Sequence, residues 1–289
     1  MKLLLALLTN HDLPKLNRLI RCVENFWPTK ELEINTIIVV NTLNPEYEKE
    51  VLEAHLPYPV YITKSNGLPG KGKNACAEIF LESDCDYLCQ FDGDDLLYPS
   101  YAQSMENHLK RFPSMDVLGV IPTDAAKSTP WTAGHEFMLG DLYATVWGIS
   151  LVRPNNRLAG PRRGYWVDEY LPMSDNYIML QSKKSAIYKQ DEEEPVGEDA
   201  LYCLELLRRH QEGELQYFLT MSSDLYFVDR STDNSIQKQY RQADTIDRWK
   251  KKALSTVNPD RSSFDELPFI YIDLLMNHEE KEAWLKNNF

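Results

Sequence analysis

The run Ile34–Val40, INTIIVV, closes on five consecutive β-branched residues. Such a run fits a strand covered on both faces better than one with a wet side. A strand of that kind needs helices above and below it, which narrows the chain to an α/β sheet. The neighbouring stretches agree. Leu3–Leu8 reads as a strand, and a helix follows near Leu13–Phe26, where Leu16, Leu19, Ile20 and Val23 recur at helical spacing. Asp12 and Pro14 suit its first turn. After Val40 come Asn41, a helix near Pro45–Ala54, a strand Val60–Thr63, a Gly-rich loop, and a helix from about Lys73 to Leu81. A fourth strand holds Tyr87, Leu88, Cys89 and Phe91, and Pro99 starts a helix with Tyr101, Met105, Leu109 and Phe112 on one face. This alternation predicts a parallel sheet with ligands at the carboxyl ends of its strands.

From Val117 the rhythm loosens. Strands are predicted at Val117–Ile121, Ile178–Leu180, Phe218–Thr220 and Leu225–Val228, with a strand pair within Leu142–Val152. Ala125–Gly140 and the acid run Asp191–Glu194 read as solvated loops. Gly197-Glu198-Asp199 opens an amphipathic helix, and the chain from about Ser235 to Phe289 reads as a helical appendage outside the sheet. Its apolar run Leu267–Met276 is too rich for water, so it should dock on the domain or on a second copy of the chain.

Composition excludes some classes. A net charge of -13 disfavours a non-specific polyanion binder. Five cysteines without regular spacing predict free thiols in a reducing compartment. The opening MKLLLALLTN has one basic residue and no small-x-small cleavage site, so it reads as a strand and not a leader. No apolar run reaches the length of a membrane span. A cytoplasmic protein is expected.

Three features could carry chemistry. The first is Asp92-Gly93-Asp94-Asp95 at a strand end, where neighbouring carboxylates repel unless a cation sits among them. Hard oxygen ligands suit Mg²⁺ or Mn²⁺, which keep positions open for substrate phosphates. An acidic turn that merely caps the next helix is the plain alternative. The second is Asn66-Gly67-Leu68-Pro69-Gly70-Lys71-Gly72-Lys73-Asn74, close to a P-loop but with Asn74 in place of the Mg²⁺-binding hydroxyl. Backbone amides at a helix start with Lys71 and Lys73 make an anion site there, or the loop is structural. The third is Glu198-Asp199, where acids in a first helical turn also complement the helix dipole. Arg153, Arg157, Arg162 and Arg163 cluster without an intervening acid, as a solvated loop or as a loop that meets anions.

The three features in this order resemble the family-2 glycosyltransferases of the GT-A fold, over roughly residues 1–235. The matching residues are Lys73-Asn74 opening a helix, the Asp92-Gly93-Asp94-Asp95 signature with Pro99 beyond it, Ile178–Lys184, and Gly197-Glu198-Asp199. The resemblance implies a GT-A-type, Rossmann-like mixed sheet, mostly parallel and flanked by helices. It implies a catalytic domain over 1–234, with a nucleotide-sugar half at 1–116 and an acceptor half at 117–234, followed by a helical segment at 235–289. It implies Asp199 as catalytic base with Glu198 orienting it, and Asp94 with Asp92 on Mn²⁺ or Mg²⁺. Thr9, Asn10, Asn41, Asn66, Lys73, Asp92 and Gly93 would hold a nucleotide-diphosphate sugar, a UDP-sugar first. Trp147, Arg153, Arg157 and Arg163 would meet a hydroxyl acceptor, and the C-terminal segment could pair two copies. Two departures stand out: Asn41 replaces the family's acid after the second strand, and Arg230–Ser235 lacks the late metal-binding His. The activity implied is inverting sugar transfer. A P-loop phosphotransferase and an inactive interaction module are the competing expectations.

Overall fold

The computed structural model describes residues 1–120, 123–124, 177–195, 198–220, 226–228, 269–270 and 275–288. Strand β1 (Lys2–Thr9) shows why the sheet must be covered twice. Leu3, Leu5 and Leu7 join one core with Leu16 and Leu19 of α1 (Leu13–Glu24). Leu4, Ala6 and Leu8 join the opposite core with Cys76, Ala77 and Phe80 of α3 (Pro69–Glu82). Alternate side chains of one strand thus face helices on opposite sides, as a period of two requires.

Around β1 lie β2 (Glu33–Val40), with α2 (Pro45–Glu53) and β3 (Val60–Ile62) beyond it, and on the other side β4 (Tyr87–Asp92). Then come β5 (Leu96–Leu97), α4 (Tyr101–Arg111), β6 (Val117–Val120) and β7 (Thr123–Asp124). The described remainder is β8 (Tyr177–Ser182), α5 (Lys183–Ala186), α6 (Glu198–Gln211), β9 (Tyr217–Thr220), β10 (Tyr226–Val228), β11 (Phe269–Ile270) and α7 (His278–Asn288). The main sheet has eight strands in the order β11-β9-β6-β8-β4-β1-β2-β3, and β5-β10-β7 form a second, three-stranded sheet. Only β8 runs against its neighbours in the main sheet. The mixed, mostly parallel sheet expected from the sequence is therefore present.

Three expectations need correction. Helix α3 begins at Pro69 and not near Lys73, so Gly70 and Gly72 lie in its first turns and not in a free loop, while Gly67 precedes it. The C-terminal region carries the expected helix, α7, but is not wholly outside the sheet. Its β11 pairs parallel with β9 as an edge strand of the main sheet. Met276 joins the main core, and Trp284 packs on Tyr98 with ring centroids 5.0 Å apart, so this segment docks on its own chain. Nor is Asp191–Glu194 a solvated loop, since Glu194 is fully buried and Glu192 is bonded inward. All five cysteines are free and buried, as expected. Among the described residues no helix is long and apolar enough to cross a membrane.

Candidate active site

The chain order reverses between β1 and β4: β2 flanks β1 on one side and β4 flanks it on the other. Ligands of open α/β sheets bind at such a point, outside the carboxyl ends of the strands. Three strand ends meet there in register. Thr9 lies opposite Val40, and Leu8 opposite Asp92. The Gly93 amide donates to the Leu8 carbonyl at 2.6 Å, and the Asn41 amide to the Thr9 carbonyl at 2.8 Å. A Cβ on Gly93 would stand 3.0 Å from that Leu8 oxygen and 3.1 Å from Thr9 Cβ. Glycine lets the two strand ends approach closely, and a larger residue would push them apart by a few tenths of an ångström.

Asp94 is pushed up to about 6, first by burial and then by Asp92, against the pull of Lys15 and His11. The Asp92 and Asp94 carboxylates are thus near enough to repel one another. Arg18 of α1 donates to the Asp94 carbonyl at 3.1 Å, and the Asp95 carboxylate is buried. Lys15, Arg18 and His11 escaped the sequence reading, because their nearness to Asp94 follows only from β1 and β4 being neighbours. Thr9 hydrogen-bonds the buried Tyr47 hydroxyl, and Asn10 bonds the His11 ring. Among the described residues, no three His, Cys, Asp or Glu side chains cluster as metal ligands.

The segment 65–74 is clasped from outside. Asn66 donates to the Glu192 carbonyl at 2.8 Å and accepts from the Leu68 amide at 3.0 Å. Lys71 pairs with Glu192 at 3.1 Å. Asn74 donates to the Gln190 carbonyl and to the Glu192 carboxylate, both at 2.9 Å, and accepts from the Gln190 amide at 2.8 Å. A Cβ on Gly70 would lie 2.1 Å from the Asp191 carbonyl oxygen, so this glycine makes room for backbone. Asn41 is also committed: it donates to the Leu68 carbonyl and accepts from the Thr63 hydroxyl, both at 2.9 Å. The helix start that resembled a phosphate cradle is thus braced by residues 190–192.

Lys73 points elsewhere. Its ammonium meets Glu198 at 2.9 Å, with side chains only 13% and 8% exposed. Burial works against a charge on Lys73, yet Glu198, Asp92 and Asp199 together hold it well above the usual lysine range. The pair joins α3 to the first turn of α6, where Glu198 and Asp199 sit as the sequence predicted. Lys73 is the hub through which Asp92 of β4 and the acids of α6 come together. Trp147, Arg153, Arg157, Arg162 and Arg163 lie outside the described residues, as do Gly197 and Arg230–Ser235.

No protein-family model matches the chain, and no curated protein matches its sequence. Solved structures do match its fold. TarS from S. aureus, residues 1–349 in complex with UDP-GlcNAc, aligns over 99% of this chain and 79% of that one, with a TM-score of 0.55 and 13% identity. The longer TarS structure aligns over 80% of this chain, with a TM-score of 0.50 and 14% identity, and the match spans 37% of its length. Likeness at such identity speaks to architecture alone: the chain has a GT-A-like α/β fold, as TarS has.

Proposed function

We propose that the chain is an inverting glycosyltransferase that moves a sugar from a nucleotide-diphosphate donor to an acceptor hydroxyl. One observation carries this reading: Asp92, Lys73, Glu198 and Asp199 gather at the switch point of the sheet. The crevice at β1, β2 and β4 takes the donor, within residues 1–116, and residues 117–234 supply the acceptor side. TarS binds UDP-GlcNAc, which makes a UDP-sugar the first donor to test.

Asp92 and Asp94 fit a divalent cation, since Mg²⁺ is held by one or two carboxylates with substrate phosphates completing its shell. When bound, Mg²⁺ or Mn²⁺ supplies Lewis-acid stabilisation of charge on the leaving diphosphate. Lys73 adds a positive charge beside that leaving group. Asp199 takes the proton from the acceptor hydroxyl as it attacks the anomeric carbon from the opposite face. Glu198 fixes the position of Lys73. Thr9, Asn10 and Gly93 shape the floor of the crevice, while Asn41 and Asn66 hold its wall.

The phosphotransferase alternative needs a free helix start and a hydroxyl at position 74. The bracing of Gly70, Lys71 and Asn74 by residues 190–192 speaks against it. Thermal shift with UDP-GlcNAc and Mn²⁺ against ATP and Mg²⁺ separates the two. A ligand at 100 times its Kd adds about 2.7 kcal/mol to stability. Stabilisation by ATP alone, or absence of turnover with every nucleotide sugar and metal, would overturn the reading.

A further inference from the structure

The Lys73–Glu198 pair has a property that neither residue has alone. Lys73 is the positive group assigned to the donor diphosphate, yet it is already neutralised by Glu198 at 2.9 Å. A diphosphate reaching Lys73 must compete with that carboxylate. We propose that donor binding exchanges the partner of Lys73, from Glu198 to the diphosphate, and that Glu198 takes up one proton from solvent as Lys73 leaves it. The inference rests on the donor reading given above.

The surroundings of Glu198 decide what happens after the exchange. Its residue is 6% exposed, at the first turn of α6. The charged groups that act on it are Lys73 from α3 and Asp199 from its own helix, and Asp92 of β4 acts in turn on Lys73. Cys76, one turn along α3, stays neutral, since burial pushes its thiol up to about 12. Of the charged groups that act on Glu198, Lys73 favours its ionised form, and the backbone amide of Glu198 itself adds a smaller push the same way. Burial and Asp199 both push the carboxyl up. Once Lys73 turns to phosphate, an ionised Glu198 would be a buried charge held only by its own backbone amide, beside another negative group. Such groups shift their pKa and become neutral. The proton balance is simple: Lys73 remains an ammonium throughout, and Glu198 changes from carboxylate to carboxylic acid by taking one proton from solvent. A neutral Glu198 also places less negative charge beside the incoming diphosphate.

Glu198 is therefore a positioning residue whose protonation is linked to donor occupancy. The test is calorimetric titration of UDP-GlcNAc, with GDP-mannose as second probe, near neutral pH in two buffers of different ionisation enthalpy. Mg²⁺ is present at equal concentration in cell and syringe. Wild-type protein should show net proton uptake. Glu198→Gln should lose that uptake and bind the donor roughly tenfold tighter, because its Lys73 is no longer neutralised. A residue that merely caps the helix would change neither. Binding without uptake in the wild type, or equal uptake in Glu198→Gln, overturns the exchange and leaves the donor reading intact. If neither probe binds, the donor reading falls and the exchange with it. Should Glu198→Gln fail to fold, difference infrared spectroscopy on the wild type decides: a protonated-carboxyl band must appear on donor addition, and its absence overturns the inference.

Discussion

Changing Asn74 to Ser separates two accounts of the same nine residues. In a phosphate-binding loop, Ser at this position supplies the missing ligand for Mg²⁺ and should create or strengthen ATP binding. The structure gives Asn74 another task. Its amide satisfies both the carbonyl and the N–H of Gln190, and a further bond reaches Glu192. Asn74 is 3% exposed, so water does not readily replace these bonds. A serine hydroxyl is shorter and can satisfy at most one of the two Gln190 groups. The other is left buried and unpaired, at a cost of about 1–3 kcal/mol. The bond to the Glu192 carboxylate adds roughly 1 kcal/mol, discounted because Glu192 is a third exposed. The sum is about 2–4 kcal/mol, and at roughly 2–4 °C per kcal/mol the melting temperature falls by about 5–15 °C. Circular-dichroism melts and ATP titrations on purified Asn74→Ser measure both quantities. A melting temperature equal to wild type, or newly acquired ATP affinity, would refute the bracing role.

Other expected outcomes concern the proposed chemistry and the core. Asp199→Asn keeps the size and shape of this first-turn residue and should bind UDP-GlcNAc normally while transfer falls at least about a hundredfold; near-normal transfer in a radiolabel assay would move the base elsewhere. Asp94→Ala should abolish tight nucleotide-diphosphate binding in Mn²⁺ with the fold intact, and unchanged affinity would remove the metal assignment. His108 is fully buried in α4, donates a ring N–H to the Ser104 carbonyl, and has its pKa lowered to about 4 by burial. The unfolded chain binds this proton near 6.5 and the folded chain only near 4, so stability is lost as pH falls between those values. The loss reaches about 3 kcal/mol and should be largely absent in His108→Gln, as urea titrations at several pH values would show.

The first half of the fold was legible because its signals are local. The β-branched end of β2, the helical spacing of α1 and the proline before α4 each report their own element. The start of α3 was missed because Gly70 and Gly72 are poor helix formers, and they are selected by packing that the local sequence does not display. The acid run Asp191–Glu194 read as solvated because its partners Asn66 and Asn74 are 126 and 118 residues away. The strand β11 hides in an apolar stretch among charged residues, and its partner β9 lies outside any local window. The site divides in the same way. Asp92, Asp94 and the Glu198–Asp199 step announce themselves as acids at element ends. That Lys73 joins them is a fact of tertiary structure, as is the approach of Lys15 and His11 to Asp94.

Among the described residues, the eight-stranded sheet ends on β3, three residues long, and on β11, two residues long. An open sheet exposes a row of N–H and C=O groups along each edge, and a long flat edge recruits other chains into fibrils. Here β3 carries Tyr61 and Ile62, which are 42% and 39% exposed and would favour such recruitment. Pro59 immediately precedes the strand and lacks an N–H, which limits extension of the ladder at that end. With three residues on offer, an incoming strand gains too few backbone bonds to offset the entropy of ordering itself. At the β3 margin, a wide, largely apolar sheet is thus protected from self-templated growth by the brevity of its last strand.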